Sequence, residues 1–169
     1  MSFSSNEWRD AASVEPRKRV HVLFVCIGNI CRSAMAEAMA RKYGSDVLRV
    51  ASAGLHPALL ADPVTRAVLR ERNIEFEKHT PRRLKDYDPS RYDLIVNLSN
   101  RDLGLNASVP VENWPIRDPY GRPDEEYRRA RDQIEILVMR LILRARMGQI
   151  VPLRKSGRGV DAEPPGWRQ

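Results

Sequence analysis

A cysteine and an arginine six positions apart stand at the end of an apolar run near the start of the chain. The run, Val20 to Val25, is rich in β-branched residues, and Cys26 follows it directly. Gly28 and Asn29 favour a tight loop, and Arg32 opens a segment of helical composition. Backbone N–H groups in such a loop, at the start of a helix, can converge on a tetrahedral oxyanion. The spacing therefore predicts an anion-binding loop with a cysteine at its first position.

The same loop would activate its first cysteine. The positive end of a helix, the guanidinium of Arg32 and the hydroxyl of Ser33 all favour a thiolate over a thiol. We therefore expect Cys26 to be ionised at neutral pH and to act as a nucleophile. The alternative is a buried strand-end cysteine without chemistry, which does not explain why Gly, Asn, Arg and Ser follow the strand in register.

The loop from Cys26 to Ser33, with the sequence Cys-Ile-Gly-Asn-Ile-Cys-Arg-Ser, resembles the signature of the low-molecular-weight protein-tyrosine-phosphatases. The second cysteine, Cys31, is part of that resemblance, which extends over residues 19–146. It implies hydrolysis of phosphotyrosine and other aryl phosphate monoesters through a phosphocysteine. It also implies a tyrosine-phosphorylated protein as substrate, with Cys26 and Arg32 as catalytic residues and no cofactor or metal ion.

Cleavage of an aryl ester needs an acid, because the departing oxygen develops negative charge. Asp118, in Arg-Asp-Pro-Tyr, resembles the acid of the family's Asp-Pro loop and follows the last predicted strand. Pro119 disfavours helical geometry at Asp118, which keeps the carboxyl on a loop. Of the other Asp-Pro pairs in the chain, we interpret Asp62-Pro63 as a helix N-cap followed by a first-turn proline.

The resemblance also assigns residues that bind the substrate or support the loop. Asn29 is expected in a left-handed conformation, bonded to Ser52 and His79. Tyr120 is expected to contact the phenyl ring, with apolar walls from the loop. The alternatives are an ordinary half-buried turn residue for Tyr120 and a plain surface histidine for His79. The expected substrate-binding residues are Ile27, Gly28, Asn29, Ile30, Cys31, Ser33 and Tyr120.

Cys31 lies five residues from the expected thiolate. Mild peroxide should therefore join Cys26 and Cys31 in a reversible disulfide that protects Cys26 from over-oxidation. The alternative is that Cys31 only packs beneath the loop.

Two other functions stay open. Residues 113–119 and the Arg-rich segment after them also resemble the arsenate reductases that share this fold. The thioredoxin-coupled members need two further cysteines, one of them expected near Ser99, and this chain has only two cysteines in all. A reductase would therefore need an external thiol. The remaining possibility is a non-catalytic binder of phosphoproteins or nucleic acid, which would leave Cys26 and Asp118 without a role.

The elements that must position these residues alternate between strands and helices. Strands are predicted over 19–25, 47–51, 93–98 and 109–114, and helices over 33–43, from 63 onward and over 124–147. This order predicts an α/β fold, a three-layer doubly wound domain with a four-stranded parallel sheet and helices on both faces. Ligands of such sheets bind at the carboxyl ends of the strands, where the cysteine loop lies.

Composition sets the wider limits. The chain has 169 residues, 42% of them hydrophobic, which predicts one domain over 19–147 between a flexible extension, 1–18, and a disordered basic tail, 148–169. The net charge of +7 suits acidic partners, but basic residues are scattered, so nucleic acid is not expected as a partner. The absence of a signal-like or membrane-spanning run and the low cysteine count predict a cytoplasmic protein without membrane contact.

The helix predicted over 124–147 has two apolar faces. One face should lie against the sheet, and the opposite one needs a second cover. A weak homodimer through that second face is favoured, and the tail residues 150–153 folding back are the alternative. At 100° per residue, Ile134, Leu137, Val138, Leu141 and Ile142 fall on the first face, and Ile136, Met139, Leu143 and Met147 on the second.

Overall fold

The computed structural model of the chain describes residues 18–106 and 108–150. The expectations for the N-terminal extension and for the tail beyond residue 150 fall on residues outside those ranges. Within them, no helix combines the length and the apolar composition needed to cross a bilayer.

Four parallel strands form one sheet in the described part of the chain, in the order β2-β1-β3-β4. They are β1, Val20–Cys26; β2, Leu48–Gly54; β3, Leu94–Asn97; and β4, Val111–Asn113. The central strand β1 is buried except at His21, as its nearly continuous apolar composition predicts. β4 begins after Pro110, which has no N–H to donate and accepts a bond from Ile95 N (2.9 Å) through its carbonyl.

Within residues 18–106 and 108–150, three α-helices connect and follow the strands: α1, Arg32–Gly44; α2, Pro63–Arg70; and α3, Asp124–Arg146. Asp62 caps α2 by accepting a hydrogen bond from Thr65 N (2.9 Å), with Pro63 in the first turn, so the capping role predicted for this Asp-Pro pair is confirmed. Two short 3₁₀ helices, Leu84–Asp86 and Pro89–Arg91, lie between α2 and β3.

The sheet separates two hydrophobic clusters. The larger contains buried residues of all three α-helices, among them Met35, Val68 and Ile134. The smaller contains Leu84, Tyr87 and Tyr92 from the 3₁₀ segment, packed on the other face of the sheet. The three-layer α/β class is therefore confirmed, with the short 3₁₀ helices forming the cover of the second face.

The direction in which successive strands are added to the sheet changes at β1. From β1 it passes through α1 to β2 on one side, and β3 pairs with the opposite side of β1. A crevice forms at such a point outside the carboxyl ends of the strands. Cys26, the last residue of β1, lies at this crevice.

Candidate active site

The predicted anion-binding loop connects β1 directly to α1. Cys26 ends the strand, Arg32 starts the helix, and both are buried. Gly54, at the end of the neighbouring strand, lies against the loop. A Cβ atom at Gly54 would stand 2.7 Å from Ile27 O and 3.0 Å from Asn29 N. Glycine is therefore required where β2 approaches the loop.

Asn29 fixes the shape of the loop from inside. It is fully buried and has a φ of 54°, in the left-handed region that Asn tolerates. Its Nδ2 donates to Ser33 Oγ (3.0 Å) and Ser52 Oγ (2.8 Å), and its Oδ1 accepts from Arg82 N (2.8 Å). Its backbone carbonyl accepts from His79 Nε2 at 2.6 Å. Every polar atom of the side chain is satisfied, so the structure holds the loop in one conformation.

A second layer of polar groups holds the supports of Asn29. Ser52 Oγ donates to the Glu37 carboxylate, which also pairs with Arg41 (2.6 Å). His79 Nδ1 lies 3.9 Å from the same carboxylate, and the His79 ring stacks on Phe76 with 4.8 Å between ring centroids. The expected contacts of Asn29 with Ser52 and His79 are thus present and are themselves anchored.

Ser33 lies beside the sulfur of Cys26, with 3.0 Å between Oγ and Sγ. The Ser33 hydroxyl accepts from Asn29 and has one proton to donate. Its other acceptor, Ala53 O, is more distant at 3.4 Å. The shorter contact places the Ser33 hydroxyl where it can donate to the Cys26 sulfur.

Arg32 is the only cation among the large, fully buried side chains of the described residues. Its Nη1 donates to Ile116 O (3.2 Å) and its Nη2 to Asp118 Oδ2 (2.7 Å). Its Nε has no hydrogen-bond partner among the described residues. A buried N–H without a partner is costly. Nε and Nη2 form the fork that binds a phosphate oxygen pair, so the arrangement suits an anion.

Asp118 lies on the loop that follows β4, and its side chain is 45% exposed. Its Oδ1 accepts from Tyr120 N (3.2 Å), while its Oδ2 faces Arg32. The structure thus brings Asp118 to the Cys26 loop across 86 residues of sequence. A half-exposed carboxyl at this rim can exchange protons with solvent and reach a bound ester.

The apolar residues expected around the substrate differ in their exposure to solvent. Ile27 is half-buried, and Tyr120 is 63% exposed beside the acid. Ile30 is only 7% exposed and belongs to the larger core cluster. The side chain of Ile30 therefore packs mainly in the core, and its contact with the substrate stays a prediction. Trp114 is buried against Phe24, as expected of a core residue.

Cys31 lies beneath the loop as a buried thiol. Its Sγ donates to Asp62 Oδ2 at 3.9 Å, and it also shares a hydrogen bond with the Tyr127 hydroxyl. Burial, with the nearby Asp62 carboxylate as a smaller cause, raises the pKa of the Cys31 thiol far above its usual range. The two cysteines of the loop therefore differ in environment, and Cys31 is protonated at neutral pH.

One contact at the site has no counterpart in the sequence-based predictions. Asn100 Nδ2 donates to Ile116 O (2.8 Å), the carbonyl that Arg32 also contacts. In the sequence, an asparagine shortly after a strand indicates only a turn, so the sequence offers no reason to assign Asn100 to the site.

Comparison with known proteins extends the match from the loop to the whole domain. The family model described as "Low molecular weight phosphotyrosine protein phosphatase" matches residues 21–150. An arsenate reductase of Staphylococcus aureus (strain Newman) is 33% identical over 121 residues, covering 69% of this chain and 92% of the relative. The chain therefore belongs to the low molecular weight phosphotyrosine protein phosphatase family.

Solved structures agree on the fold. An arsenate reductase in the phosphate binding state is 30% identical with a TM-score of 0.68, covering 75% of this chain and 98% of that one. A tyrosine phosphatase of Erwinia amylovora is 24% identical with a TM-score of 0.67, covering 75% and 93%. At this identity the second likeness concerns the fold alone. The relatives thus include both proteins named phosphatases and proteins named arsenate reductases.

Proposed function

We propose that this protein hydrolyses aryl phosphate monoesters, with tyrosine-phosphorylated proteins as substrates, through a phosphocysteine on Cys26. The observation that carries the proposal is the meeting of nucleophile, phosphate ligand and acid in one crevice. Cys26 Sγ is 3.0 Å from the Ser33 hydroxyl, and Arg32 Nη2 is 2.7 Å from Asp118. These side chains supply the three functions that the reaction needs.

In the first step the phosphoryl group enters the loop and binds to the fork of Arg32. Nε gains a partner, and Nη2 exchanges the Asp118 carboxyl for a phosphate oxygen. The Cys26 thiolate attacks phosphorus in line while the bond to the aryl oxygen breaks. Asp118 gives its proton to that oxygen, so the phenol leaves neutral.

In the second step water replaces the cysteine on phosphorus. Asp118, now a carboxylate, takes a proton from the attacking water, and the sulfur leaves as a thiolate. The hydrogen bond from Ser33 stabilises that thiolate. Inorganic phosphate leaves, and the acid and the nucleophile are restored to their starting states.

Arsenate reduction is the second candidate, since a relative 33% identical to this chain is named an arsenate reductase. Arsenate would occupy the same loop, and Cys26 would join arsenic with loss of water. An external thiolate would then attack the Cys26 sulfur, and arsenic would depart with the bonding electron pair as arsenite. A second external thiol would reduce the resulting mixed disulfide.

Two observations favour the phosphatase. Cys31, the only other cysteine of the chain, is buried against Asp62 as a protonated thiol and is poorly placed to pass oxidation outward. Ser99, near which a further relay cysteine was expected, is buried with its hydroxyl bonded to Asn97 Oδ1 (2.6 Å). A reductase would therefore depend on external thiols in both reducing steps.

The test is a parallel assay of the purified full chain. One arm measures hydrolysis of para-nitrophenyl phosphate and of a phosphotyrosine peptide, and the other measures arsenite formation with thioredoxin and with small thiols. Cys26→Ser is the matched control in both arms. We expect ester hydrolysis that is lost in Cys26→Ser. Arsenite formation that depends on Cys26, without ester hydrolysis, would establish the second candidate instead.

A further inference from the structure

Asn100 lies on the loop after β3, outside the phosphate-binding loop, and its side chain reaches the segment that contains the acid. We propose that Asn100 is a positioning residue that places the acid loop, residues 115–119, so that Asp118 can protonate the leaving group. The inference rests on the proposed phosphatase activity and adds a residue to its machinery.

The contact is made at the start of the acid loop. Asn100 Nδ2 donates to Ile116 O at 2.8 Å, two residues before Asp118. The same carbonyl accepts from Arg32 Nη1 at 3.2 Å, and the side chain of Ile116 is buried. Ile116 O is therefore the point at which the acid loop is joined both to the phosphate ligand and to the loop after β3.

Hydrogen bonds fix the residues on both sides of Asn100. Asn97, at the end of β3, accepts from Ser99 N (3.0 Å) and Ser99 Oγ (2.6 Å). Its Nδ2 donates to Arg101 O (2.8 Å) and to Asn113 Oδ1 (2.9 Å) at the end of β4. These bonds hold the residues on both sides of Asn100 to two strands of the sheet, so its amide is a fixed donor.

The backbone of Asn100 explains why the residue type matters. Its φ is 58°, a conformation in which glycine is the least strained residue, and the residue is exposed. Burial does not require an asparagine there. The feature that asparagine has and glycine lacks is the amide that bonds the acid loop.

The bond also has a property that the contact between Arg32 and Asp118 lacks. When Arg32 binds phosphate, its Nη2 must release Asp118, so the acid loses that tether in the state in which it acts. Asn100 does not bind phosphate in the proposed mechanism and can hold the loop throughout. At the far end, Gly121 N donates to the Tyr127 hydroxyl (3.3 Å), so the acid segment is fixed on both sides.

The test compares Asn100→Gly with Asn73→Gly. Asn73 has a φ of 54° shortly after α2, outside the acid loop, so the control makes the same change in the same backbone conformation. The readout is kcat/KM for phenyl phosphate, which needs the acid, and for para-nitrophenyl phosphate, which needs it little. We expect Asn100→Gly to lose about three- to tenfold on phenyl phosphate, the size of one lost hydrogen bond. The loss on para-nitrophenyl phosphate and the change in inhibition by inorganic phosphate should both be small, and the control should match wild type.

A double-mutant cycle completes the test. In an Asp118→Asn background, Asn100→Gly should have no further effect on phenyl phosphate. Equal losses on both esters, no loss at all, or the same loss without Asp118 would each overturn the positioning role. If wild type hydrolyses neither ester, the proposed function fails and the inference with it. If Asp118→Asn shows the leaving-group dependence and Asn100→Gly does not, the inference alone fails.

Discussion

Asp118 contacts the guanidinium of Arg32 in the resting site, and in the proposed reaction it must instead protonate the leaving oxygen. In the structure Asp118 Oδ2 is 2.7 Å from Arg32 Nη2, and the carboxyl is half exposed. A phosphate dianion that binds Arg32 competes for the same N–H group and places negative charge beside the carboxyl. Substrate binding would therefore displace the Asp118 carboxyl from Arg32 and free it to face the leaving oxygen.

Replacement of this acid gives a prediction that depends on the substrate. Asp118→Asn keeps the size of the side chain but cannot give up a proton, so kcat/KM for phenyl phosphate should fall by about 10²–10⁴. The fall should be much smaller for para-nitrophenyl phosphate, whose leaving group needs little protonation. If the two esters lose activity equally, Asp118 is not the acid.

Cys31 predicts a second property of the same loop. Peroxide should oxidise the Cys26 thiolate to a sulfenic acid, and the neutral Cys31 thiol should condense with it to a disulfide with loss of water. Cys31 must leave its contact with Asp62 to do so. We expect wild type to regain activity with added thiol after mild peroxide and Cys31→Ser to regain much less. Full recovery of Cys31→Ser would show that Cys31 only packs beneath the loop.

At the scale of elements, a charged cluster joins α2 to α3. Glu71, at the end of α2, accepts from Arg128 (2.9 Å) and from the buried Arg131 (2.6 Å). These two arginines lower the pKa of Glu71 from 4.5 to about 2. The pKa of Glu71 is lower in the folded protein than in the unfolded chain. The ionised Glu71 with its two arginines therefore stabilises the folded protein above pH 4.5, and this stabilisation is lost as the pH falls toward 2.

The corresponding prediction concerns stability against pH. Wild type should unfold at a higher denaturant concentration than Glu71→Gln above pH 4.5, and the difference should shrink below it. The effect should be modest, because Glu71 is exposed to solvent. Glu77→Gln, which removes the exposed ion pairs of Glu77 with Arg66 and Arg70 of α2, is the control. A difference between wild type and Glu71→Gln that does not change with pH would contradict the assignment.

Elements differ in how far the sequence could predict them. β1 and its loop were predictable, because an apolar run and a dense motif occupy adjacent residues. The cover of the second sheet face was not, since Leu84–Asp86 and Pro89–Arg91 are too short to show helical periodicity. The inward packing of Ile30 and the bond of Asn100 to Ile116 depend on contacts between distant segments, which spacing along the chain does not show.

In the whole molecule, the largest apolar feature of the surface of α3 is its outer face. Its apolar side chains are substantially exposed, and no described residue covers them. Ile136, Met139, Leu143 and Met147 are between 44% and 62% exposed. Of the residues predicted on the inner face, Leu137 is half-buried and packs against the core, and the others are buried, so the two predicted faces are present. The buried ones are Ile134, Val138, Leu141 and Ile142. Packing of this outer face against a second copy stays a prediction, as do the cytoplasmic location and the lack of a nucleic-acid partner.

Sedimentation velocity tests the homodimer. Four partly exposed side chains offer less than the about 800 Å² per partner of a stable interface, so association should be weak and visible only at high concentration. Leu143→Glu should abolish it, while Leu59→Glu, a change at a 94% exposed residue of another surface, should not. Each protein is measured with and without residues 151–169. A monomer at high concentration in both forms would rule out the dimer, and association only without the segment would indicate that the segment covers the face.

If Cys26 carries the phosphoryl group during turnover, the phosphocysteine can be trapped. Wild type is mixed with para-nitrophenyl phosphate, quenched into denaturant before the steady state, digested and examined by mass spectrometry. We expect a phosphorylated peptide containing Cys26 that forms and decays at rates matching turnover, and none in Cys26→Ser. Turnover with no phosphoryl group on Cys26, or with the group on another residue, would contradict it.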